Sequence, residues 1–184
     1  LVILITIVAG CYYKLCCLTE DSKSTITYQS NINDENFQLL LNESFKKIVD
    51  NEVRNIILFI GDGMGTTQIS TARISKFGPG GRLTIEKMPV TGLMNVHSQN
   101  SLITDSAASA TAMSTGYKTN NRMIAMLPDS TRLKTILQAA GDKGLATGLV
   151  ATSSLNHATP AAFTAHTYSR YEYDKIAAQL LESK

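Results

Sequence analysis

Ser106 sets a hydroxyl nucleophile directly beside the carboxylate of Asp105, and a run of very small residues, 107–112, follows. Asp105 is a good helix N-cap and the alanines after it are strong helix formers, so the pattern predicts a helix opening at Ser106. The unpaired N–H groups and dipole of that first turn favour an anion, and a phosphate would be welcome there. Small side chains let such a helix pack tightly and leave the serine oxygen uncovered. The same run also reads as a close-packed core helix with no chemistry at all.

Two other stretches bear on that choice. Residues 56–60 are a short, β-branched apolar run, which predicts a strand buried on both faces of a parallel sheet. Gly61, Gly63 and Gly65 then allow a tight turn and leave Asp62 at the strand's carboxyl end, the edge where open α/β sheets take ligands. Asp62 could equally cap a helix starting near Thr66. A dinucleotide loop fits less well, because Thr66 breaks the G-x-G-x-x-G spacing. In residues 156–170, Thr159 before Pro160 reads as an N-cap with proline at the first helical position. Chemically, the Thr159 oxygen suits magnesium and Arg170 is a fork for phosphate oxygens.

Taken in order, with Gly116-Tyr117-Lys118-Thr119 and residues 139–148 between them, these stretches closely resemble the alkaline phosphatase family from about Arg54 to Arg170. The resemblance implies metal-dependent hydrolysis of small phosphate monoesters through a phosphoserine on Ser106. It also implies two zinc ions and one magnesium. A serine hydroxyl is a weak nucleophile and no histidine stands near Ser106 in sequence, so zinc is the expected activator. Asp62 matches the carboxylate that bridges one zinc and the magnesium, Thr159 the hydroxyl ligand of the magnesium, and Arg170 the arginine that holds the phosphate oxygens. Asp105 matches the neighbour that orients that arginine. His157 stands where the family varies between aspartate and histidine. It reads either as tuning the third metal site through water or as a surface histidine before a helix. A homodimer is left open. A sulfatase or phosphodiesterase-like hydrolase of the same superfamily is the nearest alternative, and a non-catalytic nucleotide-binding envelope module using residues 61–65 the more distant one.

The other histidines are His97 and His166, expected near a strand end and in a helix. No two of the three lie three to five residues apart, so the sequence holds no local zinc pair. The remaining zinc ligands of the family are expected after Lys184. The chain, which starts at Leu1, reads as the N-terminal part of a protein more than twice as long.

Composition is ordinary for apolar content, 43%, and low in charge, 17%, as suits packed sheet and helix. A net charge of +2 and the lack of basic runs interleaved with aromatics give no reason to invoke nucleic acid. Residues 1–10 are almost wholly apolar and end in Val8-Ala9-Gly10-Cys11, which resembles a lipoprotein cleavage box. The expectation is a leader over 1–18, a polar linker over 19–35, and part of a catalytic domain over 36–184. The protein would be exported to the bacterial periplasm or envelope and tethered through Cys11; an ordinary cleaved signal or a truncated anchor are the other readings. Cys16 and Cys17 fall in the same leader, so no disulfide is expected in the domain.

The elements that must position these residues alternate. Helices are expected over 36–49, 66–76, 106–115, 131–143 and 172–182, with another from Pro160. Strands are expected over 55–60, 91–97 and 145–151. This is an α/β pattern with a mainly parallel sheet flanked by helices. Eleven residues separate Thr159 from Arg170, so an unbroken helix would part them by about 16 Å. A break near Tyr168-Ser169 is therefore expected.

Overall fold

A computed structural model describes residues 2–7, 55–88 and 91–182. These fall into two compact units, one holding residues 2–7 and 55–60 and the other running from Gly61 onward. In the first, β1 (Val2–Ile7) pairs in parallel with β2 (Asn55–Ile60), in a register that sets Val2 opposite Asn55 and Ile7 opposite Ile60. The β-branched run thus forms the expected parallel strand. It is not buried on both faces, since Ile56 is 62% exposed and Phe59 56%. Covering a strand takes packed layers, and β1 is its one ladder partner among the described residues. The helix expected over 36–49, the linker over 19–35 and the three cysteines lie outside the described residues.

The second unit contains α1 (Thr66–Phe77), a 3-10 turn (Thr84–Lys87), α2 (Ser106–Thr115), α3 (Ile136–Gly141), α4 (Ala158–Ala161) and α5 (Tyr173–Glu182). Helix α2 starts and stops as its residues dictate. The Asp105 carboxylate accepts from the Ala108 N–H at 2.9 Å, and Gly116 takes a left-handed φ of 79° while its N–H donates to Ala112. At the head of α1 the cap is Gly65, whose N–H donates to Gln68 Oε1 at 3.1 Å. Asp62 is therefore not the helix cap, and its oxygens are available for other donors.

The core is a seam of small residues. Ala107 and Ala110 of α2 meet Ala158, Ala161, Ala162 and Ala165, with Ile124 and Ile176 closing the cluster and Leu180 against its edge. Alanine contributes little area per residue but lets backbones approach closely. At that separation buried hydroxyls can reach neighbouring carbonyls. Thr111 donates to the Met123 carbonyl at 3.2 Å and accepts from the Ala125 N–H at 2.9 Å. Ser114 donates to Ala162, Thr119 to Met126, and Thr135 to Phe163. Each hydroxyl would cost about 1–3 kcal/mol if left buried and unpaired, and those of Thr111 and Ser114 fix how residues 123–125 and Ala162 lie on α2.

Several expected elements take another form. Residues 91–97 are irregular, and the Asn95 and His97 carbonyls accept from Lys118 Nζ instead of entering a ladder. Residues 145–151 are also without a ladder, and Leu145 is 60% exposed. A strand exists only beside a partner, and no described strand of this unit offers one. The helix expected over 131–143 shrinks to α3, because Thr135 and Gln138 cap it reciprocally. The residues before it turn back, with the Leu133 N–H donating to Ala125 and Met126 bridging Arg132. The helix from Pro160 is the single turn α4, with His157 and not Thr159 at its N-cap position and no side-chain cap bond. His166 stands in an irregular stretch just before the Thr167 bridge rather than in a helix.

Overpacking should expose how tight the alanine seam is. Ala161→Leu in the intact protein is expected to lower unfolding stability by about 1–3 kcal/mol, read from urea melts. A change under about 0.5 kcal/mol would show that the seam has room to spare.

Candidate active site

Asp62 gathers the two hydroxyls. Ser106 Oγ donates to Asp62 Oδ1 at 3.0 Å and Thr159 Oγ1 donates to Asp62 Oδ2 at 3.0 Å, so one carboxylate joins residues 44 and 97 positions away. The glycine turn presents Asp62, the first turn of α2 presents Ser106, and the first turn of α4 presents Thr159. The carboxylate is exposed, whereas Ala107 and Ala108 behind the serine are buried.

Asp105 and Arg170 form the adjoining corner. While Asp105 Oδ1 caps α2, its Oδ2 accepts from Arg170 Nη1 at 3.4 Å and from the Arg122 N–H at 3.0 Å. Arg170 Nη2 lies 3.3 Å from His157 Nε2. Arg170 gets there because the helix breaks earlier than expected, at Ala162 and not near Tyr168-Ser169. After a series of turns Ile124 and Thr167 exchange both backbone hydrogen bonds, and the Arg170 N–H donates to the Arg122 carbonyl at 2.7 Å.

The other histidines are held elsewhere. His166 Nδ1 lies 2.9 Å from the Ala125 carbonyl, which requires the proton on that nitrogen, and Nε2 faces the Gln138 amide at 2.9 Å. His97 Nδ1 lies 3.0 Å from the Ser98 carbonyl. Among the described residues no group of three or more His, Cys, Asp or Glu side chains is close enough to hold a metal. The oxygens of Asp62, Ser106 and Thr159 do fit a hard, oxygen-seeking cation such as magnesium. They do not by themselves make the nitrogen- and carboxylate-rich set that two zinc ions take.

Sequence reasoning passed over Asn121 and Arg122. Asn121 Oδ1 accepts from the Asp105 N–H at 3.1 Å, while its Nδ2 donates to the Ile103 carbonyl at 3.0 Å. Arg122 takes a φ of 75°, a conformation usually left to glycine or asparagine, so its residue type gives no warning of the turn. The adjacent Asn120-Asn121 pair was the available signal, since asparagine favours turns and local side-chain bonds. Nearby, Lys118 ties residues 95–97 to the end of α2, and burial lowers its pKa below that of an ordinary lysine.

A family model described as Alkaline phosphatase matches residues 53–183. Over 147 residues the chain is 44% identical to alkaline phosphatase 4 of Bacillus subtilis (strain 168), covering 77% of this chain and 32% of that protein. Among solved structures, the alkaline phosphatase of the Antarctic bacterium TAB5 superposes with a TM-score of 0.61 at 41% identity, covering 66% of this chain and 35% of that one. A histidine variant of the TAB5 enzyme with magnesium bound in its M3 site matches with the same TM-score at 40% identity, over 66% and 34% of the two chains. The chain thus spans about a third of the length of these relatives.

The Asn121 contacts are open to a direct check. Asn121→Ala is expected to cost about 1–3 kcal/mol and to speed hydrogen exchange at the Asp105 amide. Unchanged protection of that amide would mean that Asn121 does not hold the serine turn.

Proposed function

The chain belongs to the alkaline phosphatase family, and from that premise we propose that the intact protein hydrolyses phosphate monoesters by way of a phosphoserine on Ser106. The observation that carries the reading is the shared carboxylate: Asp62 holds both Ser106 and Thr159 at 3.0 Å, with Arg170 fixed beside them on Asp105.

Arg170 grips oxygens of the transferring phosphate through its guanidinium, and Asp105 and His157 set the direction of that fork. Ser106 Oγ attacks phosphorus in line; a bond forms from Oγ to phosphorus as the ester oxygen–phosphorus bond breaks. The Ser106 hydroxyl donates to Asp62 at rest; on attack that proton passes to solvent and the departing alkoxide takes one up from solvent, so the proton count closes. Water then attacks the phosphoserine, the Oγ–phosphorus bond breaks, inorganic phosphate leaves and the serine hydroxyl is restored. Arg170 serves both halves, since the equatorial oxygens carry the charge each time.

Asp62 and Thr159 would hold a magnesium ion, and Asp62 with Ser106 would contribute to a pair of zinc ions completed by other ligands. Such ions supply charge neutralisation and an activated nucleophile near neutral pH. His157 would act on the magnesium site through water. The magnesium in the M3 site of the TAB5 variant supports this part of the reading. The sequence of residues 1–10 and Cys11 supports export and a lipid tether at the envelope, with residues 19–35 as spacer; processing before Cys11 would take β1 away from β2.

Ser106→Ala is expected to lower turnover of p-nitrophenyl phosphate by ~10³-fold or more and to abolish labelled phosphate retained on acid-quenched protein. Activity within tenfold of the parent would remove Ser106 from the nucleophile's role. Chelation is expected to stop turnover and zinc plus magnesium to restore it. Full activity in excess chelator would refute the metal assignment.

A further inference from the structure

A second guanidinium stands at the phosphate corner. The Arg122 guanidinium carbon lies 5.9 Å from the centre of the Tyr171 ring, and that of Arg170 lies 6.0 Å from the same centre. Main-chain bonds fix the placement, because the Arg122 N–H donates to Asp105 Oδ2 and its carbonyl accepts from the Arg170 N–H. Both Arg122 and Tyr171 are exposed, Tyr171 to 59%. The two arginines differ in how they are engaged. Arg170 contacts Asp105 and His157, while among the described residues no carboxylate pairs with the Arg122 guanidinium.

Two like charges on one exposed ring repel, and a bound anion relieves that repulsion. The transferred phosphate occupies Arg170. Arg122 keeps its forked donors for a different anion, displaced from the phosphate position in the direction of Tyr171. We propose that Arg122, steadied on Tyr171, forms a leaving-group subsite selective for phosphate esters whose alcohol carries a second anionic group, a phosphate or a carboxylate. This rests on the phosphomonoesterase reading of Ser106 and adds the substrate class. Arg122 acts here as a specificity residue through its side chain, separately from the backbone contacts that hold Asp105 and Arg170.

The test compares kcat/KM of the intact, metal-loaded protein for propyl phosphate, 1,3-propanediol bisphosphate and 3-phosphonooxypropanoate. The parent should prefer the two esters that carry a second anionic group, and that preference should shrink as ionic strength rises from about 0.01 to about 0.5 M. Arg122→Asn tolerates the left-handed backbone; it should cut the preference about fivefold or more and abolish its salt dependence, with the loss in KM rather than kcat. Arg122→Lys should keep most of the preference. Tyr171→Leu, which leaves the backbone contacts in place, should lower it and serves if the asparagine variant fails to fold. A loss confined to the bisphosphate or to the carboxylate ester identifies which anion the subsite reads. An unchanged ratio in Arg122→Asn and in Tyr171→Leu overturns the subsite while leaving the hydrolase intact. No turnover of propyl phosphate by the parent overturns the Ser106 reading, and the subsite with it.

Discussion

The carboxylate of Asp62 is the point on which the site turns, because both of its oxygens accept hydroxyls brought from separate helix starts. Those hydrogen bonds cannot be what assembles the site. The carboxylate is exposed, water competes for it, and each contact contributes little net free energy. What brings Ser106 and Thr159 to the same place is the packing of α2 on α4 behind them. There Ala107 and Ala110 meet Ala158, Ala161 and Ala162, and the Ser114 hydroxyl donates to the Ala162 carbonyl. Larger side chains on that seam would push the two helix starts apart, and one aspartate could no longer span both hydroxyls. Small residues are thus a geometric requirement of the chemistry.

Asp105 carries a different load. One of its oxygens caps α2 and the other receives the Arg122 N–H and an Arg170 nitrogen, so all of its contacts are donors already. A carboxylate so engaged orients its neighbours, whereas among the described residues Asp62 accepts only the two hydroxyls. The two adjacent acidic roles are separated by hydrogen-bonding partners, although the residue type is the same. The side chain of Arg170 is only 15% exposed and that of Asp105 23%, so water screens this ion pair less than it screens the Asp62 contacts.

Local chemistry was legible where it was self-contained. The strand over 55–60, helix α1, the Asp105 cap and the Gly116 stop each follow from residues within a turn of one another. Elements that need a distant partner were less legible. Residues 91–97 and 145–151 have strand-like sequences, but a ladder is a property of two segments, and Lys118 takes the carbonyls of the first. The start of α3 was misplaced because residues 131–133 have a stronger claim on 125–127 than on a helical turn. Arg122 was invisible for a plainer reason: nothing in arginine's chemistry announces a φ of 75°, which its neighbours impose.

The distance between Thr159 and Arg170 shows how the chain resolves a conflict that helical geometry creates. A continuous helix would carry the arginine about 16 Å from the threonine, out of range of any single phosphate. Instead α4 lasts one turn, and residues 120–126 act as a template for the return. Ile124 exchanges both backbone bonds with Thr167, then Arg122 receives the Arg170 N–H. That template is itself fastened to Asp105 through Asn121 and Arg122. The turn bearing Ser106 and the strand-like return bearing Arg170 are therefore indexed to one short loop. The backbone of that loop cannot shift relative to Ser106 without shifting Arg170 as well. Residue 122 is thus the point of that loop whose main chain touches both Asp105 and Arg170, so its backbone holds the α2 start and the return bearing Arg170 in one register.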